Sequence, residues 1–164
     1  MNSQETNSEA NPEFDVRKFT TQAVMRVFDT MLNYPVEPLP TAPPMPGRRV
    51  SSFVAWVGET VVGEIYLHMT VPFAMQATAA MQRLEIGQLC TNEEVTDAAG
   101  ELINMIGGSL KSRLCNAGYT CRMSSPSVLR AADMEVESTA GSGLQLGFNC
   151  RSHCVVAEVY IKFN

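Results

Sequence analysis

The chain has 164 residues, 45% of them apolar and 18% charged, the balance of one globular domain with a real core rather than of a disordered or fibrous chain. Twelve basic residues against seventeen acidic ones leave a net charge of −5, which disfavours nucleic acid and anionic lipid as direct partners. No apolar run is long enough to span a bilayer, and the polar start MNSQETNSEANPE lacks the basic and apolar regions of a signal peptide, so a cytoplasmic location is expected.

Residues 1–13 offer too little apolar surface to offset ordering entropy and read as a disordered tail. From Phe14 to Leu32 the apolar residues Phe19, Val24, Val27, Phe28 and Met31 recur at helical spacing. Six prolines between Pro35 and Pro46 then predict an extended connector over 35–49, unable to join a helix or an inner strand. VSSFVAWV (50–57) and TVVGEIYLHMTV (60–71) read as a hairpin around Gly58 and Glu59. Thr70 and Pro72 open a short helix that should end near Gly87.

A long helix is expected from Asn92 to Asn116, started by the capping box of Thr91 and Glu94 and stopped by Gly118. Strands are expected at 119–124, 134–139, 144–150 and 154–163, with turns at Pro126 and Gly141-Ser142-Gly143. The fold class is α+β, with long helices packed on a largely antiparallel sheet, in a single domain spanning 14–164.

The long helix poses a question. Val95, Ala99, Leu102, Ile106, Leu110 and Leu114 share one face, which should pack on the sheet. Asp97, Glu101, Asn104, Gly108 and Lys111 fall on roughly the opposite face, with Glu101 and Asn104 as i, i+3 neighbours. Gly100, Gly107 and Gly108 interrupt a helix in which each glycine costs about 1 kcal/mol relative to alanine. Gly100 and Gly107 lie to one side, where a second element of the chain is expected to pack closely. Gly108 lies in line with Glu101 and Asn104, where the backbone of another molecule can approach. The ExxN spacing alone is uninformative, because 13 Glu and 9 Asn in 164 residues give about as many by chance.

The longer stretch DAAGELINMIGGSLKSRL resembles the signature helix of the CheX/CheC family of chemotaxis phosphatases, in Glu101, Asn104, Met105, Ile106, Gly108 and Lys111. The order of elements from about 14 to 163 resembles the family as well. Two-site members carry a second Glu/Asn motif on the first helix. Neither ExxN nor ExxD occurs between Phe14 and Leu32, so the chain is similar to the one-site, CheX-like members.

The resemblance implies a phosphatase that hydrolyses the phospho-aspartate of a CheY-like response-regulator receiver and so ends a chemotaxis or two-component signal. It implies that Glu101 pairs with the receiver's active-site lysine and that Asn104 positions the attacking water. Asp97, Met105, Gly108 and Lys111 would border the docked receiver. The receiver would bring the Mg²⁺, leaving this chain with no cofactor or metal of its own. It also implies a homodimer, which would cover exposed strand edges. The alternative is a non-catalytic docking module of the same fold that binds a receiver or a signalling assembly.

Other candidates carry less. Five cysteines without a CxxC read as buried thiols of a reducing compartment. Cys150, His153 and Cys154 fall short of the four ligands of a structural zinc site and are expected to serve the core or a turn. His68, in a strand-like run, is expected to be a hydrogen-bonded structural residue. No glycine-rich phosphate loop follows a strand.

Overall fold

The computed structural model describes residues 14–85, 90–132, 135–138, 140 and 143–164. Helix α1 (Val16–Leu32) starts at Asp15, whose side chain accepts from the Lys18 N–H, and ends at Asn33 in the left-handed region (φ 54°). The connector that follows contributes a two-residue strand, β1 (Glu37–Pro38), paired antiparallel with β6 (Gly143–Cys150) at the rim of the sheet. An edge is where a proline lacking an N–H is tolerated.

Strands β2 (Arg48–Val57) and β3 (Val61–Thr70) form the expected hairpin, closed by the Gly58 N–H donating to the Val61 carbonyl at 2.9 Å. Thr70 caps α2 (Val71–Met81) through its hydroxyl, with Pro72 in the first turn where its missing N–H costs nothing. The expected stop at Gly87 lies outside the described residues. Helix α3 (Asn92–Asn116) has the expected capping box. Glu94 donates its N–H to Thr91 Oγ1 at 3.1 Å, and its own carboxylate accepts from the Thr91 N–H at 2.9 Å. Gly118, at φ +91°, follows the helix end.

Four expectations change in the C-terminal third. The strand expected at 119–124 shrinks to β4 (Arg122–Met123). Directly after Pro126 comes a strand that was not expected, β5 (Ser127–Ala132), paired with β2. Residues 135–138 of the strand expected at 134–139 are not in a strand, and Met134 and Thr139 lie outside the described residues. The edge of β2 is taken by β4 and β5, and the alternation of MEVEST alone does not make 135–138 a strand. In the expected 141–143 turn, Gly143 is already the first residue of β6, and Gly141 and Ser142 lie outside the described residues.

Strand β7 (His153–Phe163) returns from β6 through Arg151 and Ser152, both at positive φ (50° and 66°), as a tight two-residue hairpin requires. The sheet runs β1-β6-β7-β3-β2-β4, with β5 also on β2, and every pair is antiparallel.

Period-2 alternation gives the sheet two faces. Val50, Val54, Trp56, Ile65, Leu67, Phe148, Val155 and Ala157 are buried under the three helices, with α3 lying on β2 and α1 and α2 beside it. The proline-rich segment crosses the other face. Leu39 donates its N–H to the Gly147 carbonyl at 2.8 Å, and a Cβ on Gly147 would lie 2.9 Å from backbone atoms of Thr41 and Ala42. Glycine at 147 is what lets the segment lie against the sheet.

Candidate functional site

The rotation of α3 about its axis is set from behind. Val95, Ala99, Leu102, Ile106, Leu110 and Leu114 are all buried on the sheet. The Trp56 indole donates to the Gly107 carbonyl at 3.1 Å, joining β2 to the middle of the helix. Near the N-terminus, Arg130 of β5 donates to the Asn92 carbonyl (2.5 Å) and the Thr96 hydroxyl (3.1 Å). With these points fixed, the helical period leaves Asp97, Glu101 and Asn104 exposed and Met105, Gly108 and Lys111 half-buried along one outward ridge.

The three glycines separate by role. A Cβ on Gly107 would sit 2.4 Å from Val54 Cγ2 and 3.1 Å from Met123 Sδ, so this position admits no side chain without displacing β2 or β4. Gly108 has nothing nearer than Met123 Cε at 4.0 Å, so the surface beside Glu101 and Asn104 is open. Gly100 corrects the expectation made for it. Its added Cβ would meet Pro126 and Val128 at 3.7–3.8 Å, ordinary contact distances, so close packing does not demand a glycine there.

The CheX model, described as chemotaxis phosphatase CheX, matches residues 50–149, from β2 through α3 to β6. The chain belongs to the CheX family. Solved structures with the same fold include the chemotaxis protein CheX from Vibrio vulnificus (24% identity, TM-score 0.78, covering 93% of this chain and 100% of that one). The CheX of Desulfovibrio desulfuricans is 23% identical, with TM-score 0.75, over 91% of this chain and 100% of that one. The CheX–CheY–BeF3–Mg²⁺ complex of Borrelia burgdorferi is 19% identical, with TM-score 0.71, over 90% and 98%. No curated protein matches the chain. At these identities the likeness of the solved structures concerns the fold. The family model establishes membership.

Two features of this CheX-family chain escaped sequence reasoning. The first is a groove between α1 and α3 beside the ridge, lined by Arg26 and Thr30 on one side and Met105, Gly108, Ser109 and Ser112 on the other. Only packing two helices side by side creates it, and nothing in either helix alone signals it. The second is a polar chain on the sheet face away from the helices. Glu158 can only accept at its carboxylate, so His68 Nε2 donates to Oε1 at 2.8 Å. In the neutral ring Nδ1 accepts from the Ser51 hydroxyl at 2.7 Å. Tyr160 donates to Oε2 at 2.8 Å.

Burial alone would raise the Glu158 pKa, but the hydrogen bonds from His68 and Tyr160 outweigh it and hold the carboxyl below its ordinary value. Tyr160 is pushed up to about 12 by burial and by the same carboxylate. His68 and Ser51 are almost wholly buried, as the structural reading of His68 expects.

Cys150 is buried beside the β6–β7 hairpin, and His153 lies near Gln76 at 3.3 Å. Among the described residues no group of three or more His, Cys, Asp or Glu side chains is placed to hold a metal, and no helix is long and apolar enough to cross a membrane.

Proposed function

We propose that the chain is a cytoplasmic phosphatase that removes the phosphoryl group from the aspartate of a CheY-like receiver domain. The observation that carries this is the pairing of exposed Glu101 and Asn104 on the outward ridge of α3, beside the open surface at Gly108. Family membership supports the activity, and the relative from Borrelia burgdorferi whose structure holds CheY supports the class of partner.

An acyl phosphate is already activated, so the catalyst has to hold a water in line with phosphorus and exclude other geometries. In this reading the Asn104 amide oxygen accepts a hydrogen bond from that water, and its NH2 donates to an oxygen nearby. An amide cannot serve as a base at neutral pH, so Asn104 is a positioning group. Glu101 would repel the phosphoryl group unless it met a cation, and the receiver's lysine supplies one. Mg²⁺ arrives with the receiver, coordinated by oxygen ligands there. Asp97, Met105, Gly108 and Lys111 border the docked domain.

Positioning of this kind is worth about 3–5 kcal/mol, or roughly two to three and a half decades of rate. Purified protein incubated with a panel of phosphorylated receivers from the same cell should release phosphate at substoichiometric concentration. Asn104→Ala should lose about 10²-fold or more of that rate and still dock. Glu101→Ala should chiefly weaken docking. Hydrolysis by Asn104→Ala at the wild-type rate would remove the assignment, and binding without any turnover by the wild type would favour a docking module. We further propose that the chain is a homodimer.

A further inference from the structure

We propose that the groove between α1 and α3 fixes the orientation in which the phosphorylated receiver docks, taking the anionic rim around its phosphorylation site. This rests on the phosphatase reading above. A receiver that presents a phospho-aspartate and the carboxylates holding its Mg²⁺ carries concentrated negative charge on that face.

Helix α3 is electrically divided along its length to match. All of its carboxylates, Glu93, Glu94, Asp97 and Glu101, precede Asn104, and both of its cations, Lys111 and Arg113, follow it. The groove opens at the cationic half. Arg26 of α1 and Arg113 of α3 both line it, and Asp29 is the one carboxylate along its extension over α1. In a chain of net charge −5 such a basic strip stands out.

Arg113 is held in place there. Its guanidinium lies over the Phe19 ring, 4.5 Å from the centroid, and donates to Gln22 at 3.2 Å. Arg26 is exposed and has no ion-pair partner among the described residues. Next to it Met25 is 38% exposed, one of three large hydrophobics so exposed among the described residues. Gln22, Met25, Arg26 and Asp29 follow i, i+3, i+4, i+7 spacing, so one stripe of α1 faces outward beside the motif. The continuity is direct, since Met105 and Gly108 of the ridge form the groove's other wall. Glu101 would then take the receiver's lysine at one end while Arg26 and Arg113 take carboxylates at the other, and a receiver turned around would set like charges together.

The test is steady-state hydrolysis by Arg26→Glu and Arg26→Ala of the phospho-receiver that the wild type turns over fastest, at low and high salt. Charge reversal should raise KM about tenfold or more, with the loss in kcat/KM carried by KM, and should abolish most of the salt dependence of KM. A KM within about twofold of wild type overturns the groove and leaves the catalytic reading standing. If no receiver is turned over, the phosphatase reading fails, and the groove is judged by calorimetric binding of the beryllofluoride–Mg²⁺ receivers. Binding lost on charge reversal supports the groove. Unchanged binding, or a wild type that binds none of them, overturns it. A change in oligomeric state in place of a change in KM identifies the groove as a contact between copies and also overturns the proposal.

Discussion

At the residue scale the adjacent glycines of α3 have opposite physics. Alanine at a helix interior gains about 1 kcal/mol over glycine, whereas forcing a methyl group into a filled core costs about 1–3 kcal/mol. At Gly107 the added Cβ meets Val54 at 2.4 Å, and valine has only one torsion with which to yield, so overpacking wins. Gly107→Ala should lower the denaturation midpoint. At Gly108 the nearest atom is 4.0 Å away, so propensity wins and Gly108→Ala should raise that midpoint by up to about 1 kcal/mol of stability. If Gly108 exists to admit the receiver, the same variant loses kcat/KM despite being more stable. A Gly108→Ala protein both stabilised and fully active would remove that role. Sequence periodicity located these glycines on the helix, but telling the obligatory Gly107 from the open Gly108 required Val54 and Met123 on other strands.

At the element scale the polar chain across β2, β3 and β7 contributes pH-dependent stability. Glu158 has a folded pKa below its unfolded value, so the unfolded chain binds more protons through the acid range. Its stabilisation is fully present above the unfolded carboxylate pKa of about 4.3 and is lost as pH falls through the lowered folded value. The melting temperature of the wild type should therefore exceed that of Glu158→Gln at neutral pH, and the gap should close as pH drops below about 4. A gap constant from pH 7 to 3 would show that the carboxylate's charge contributes nothing. His68 was readable from sequence as a structural histidine. Its partners were not, since Ser51 lies 17 residues away and Glu158 lies 90 away, and only strand register brings them together.

At the scale of the whole molecule the sheet ends in β1 on one side and in β4 and β5 on the other, leaving backbone groups that association would cover. The proposed homodimer predicts a sedimentation mass twice the 17.9 kDa chain at micromolar concentration, and a monomer across that range would refute it. The missed strand shows where legibility stopped. SVLRAA lacks a clean alternation and becomes a strand because it pairs with β2, while MEVEST alternates well and 135–138 are not in a strand.

The amino-acid order determined, on its own, what depends on neighbours within a few residues. It set the caps of α2 and α3, the β2–β3 hairpin, the two faces of α3, and Glu101 and Asn104 one turn apart on its outward side. These follow from local hydrogen bonds and from helical and strand periods. The tertiary structure decided what depends on residues distant in sequence: which glycine is indispensable, which strands share β2, what surrounds His68, and the basic groove that α1 and α3 make only by lying together. Burial and charge complementarity are properties of assembled surfaces, and no period along a single chain encodes them.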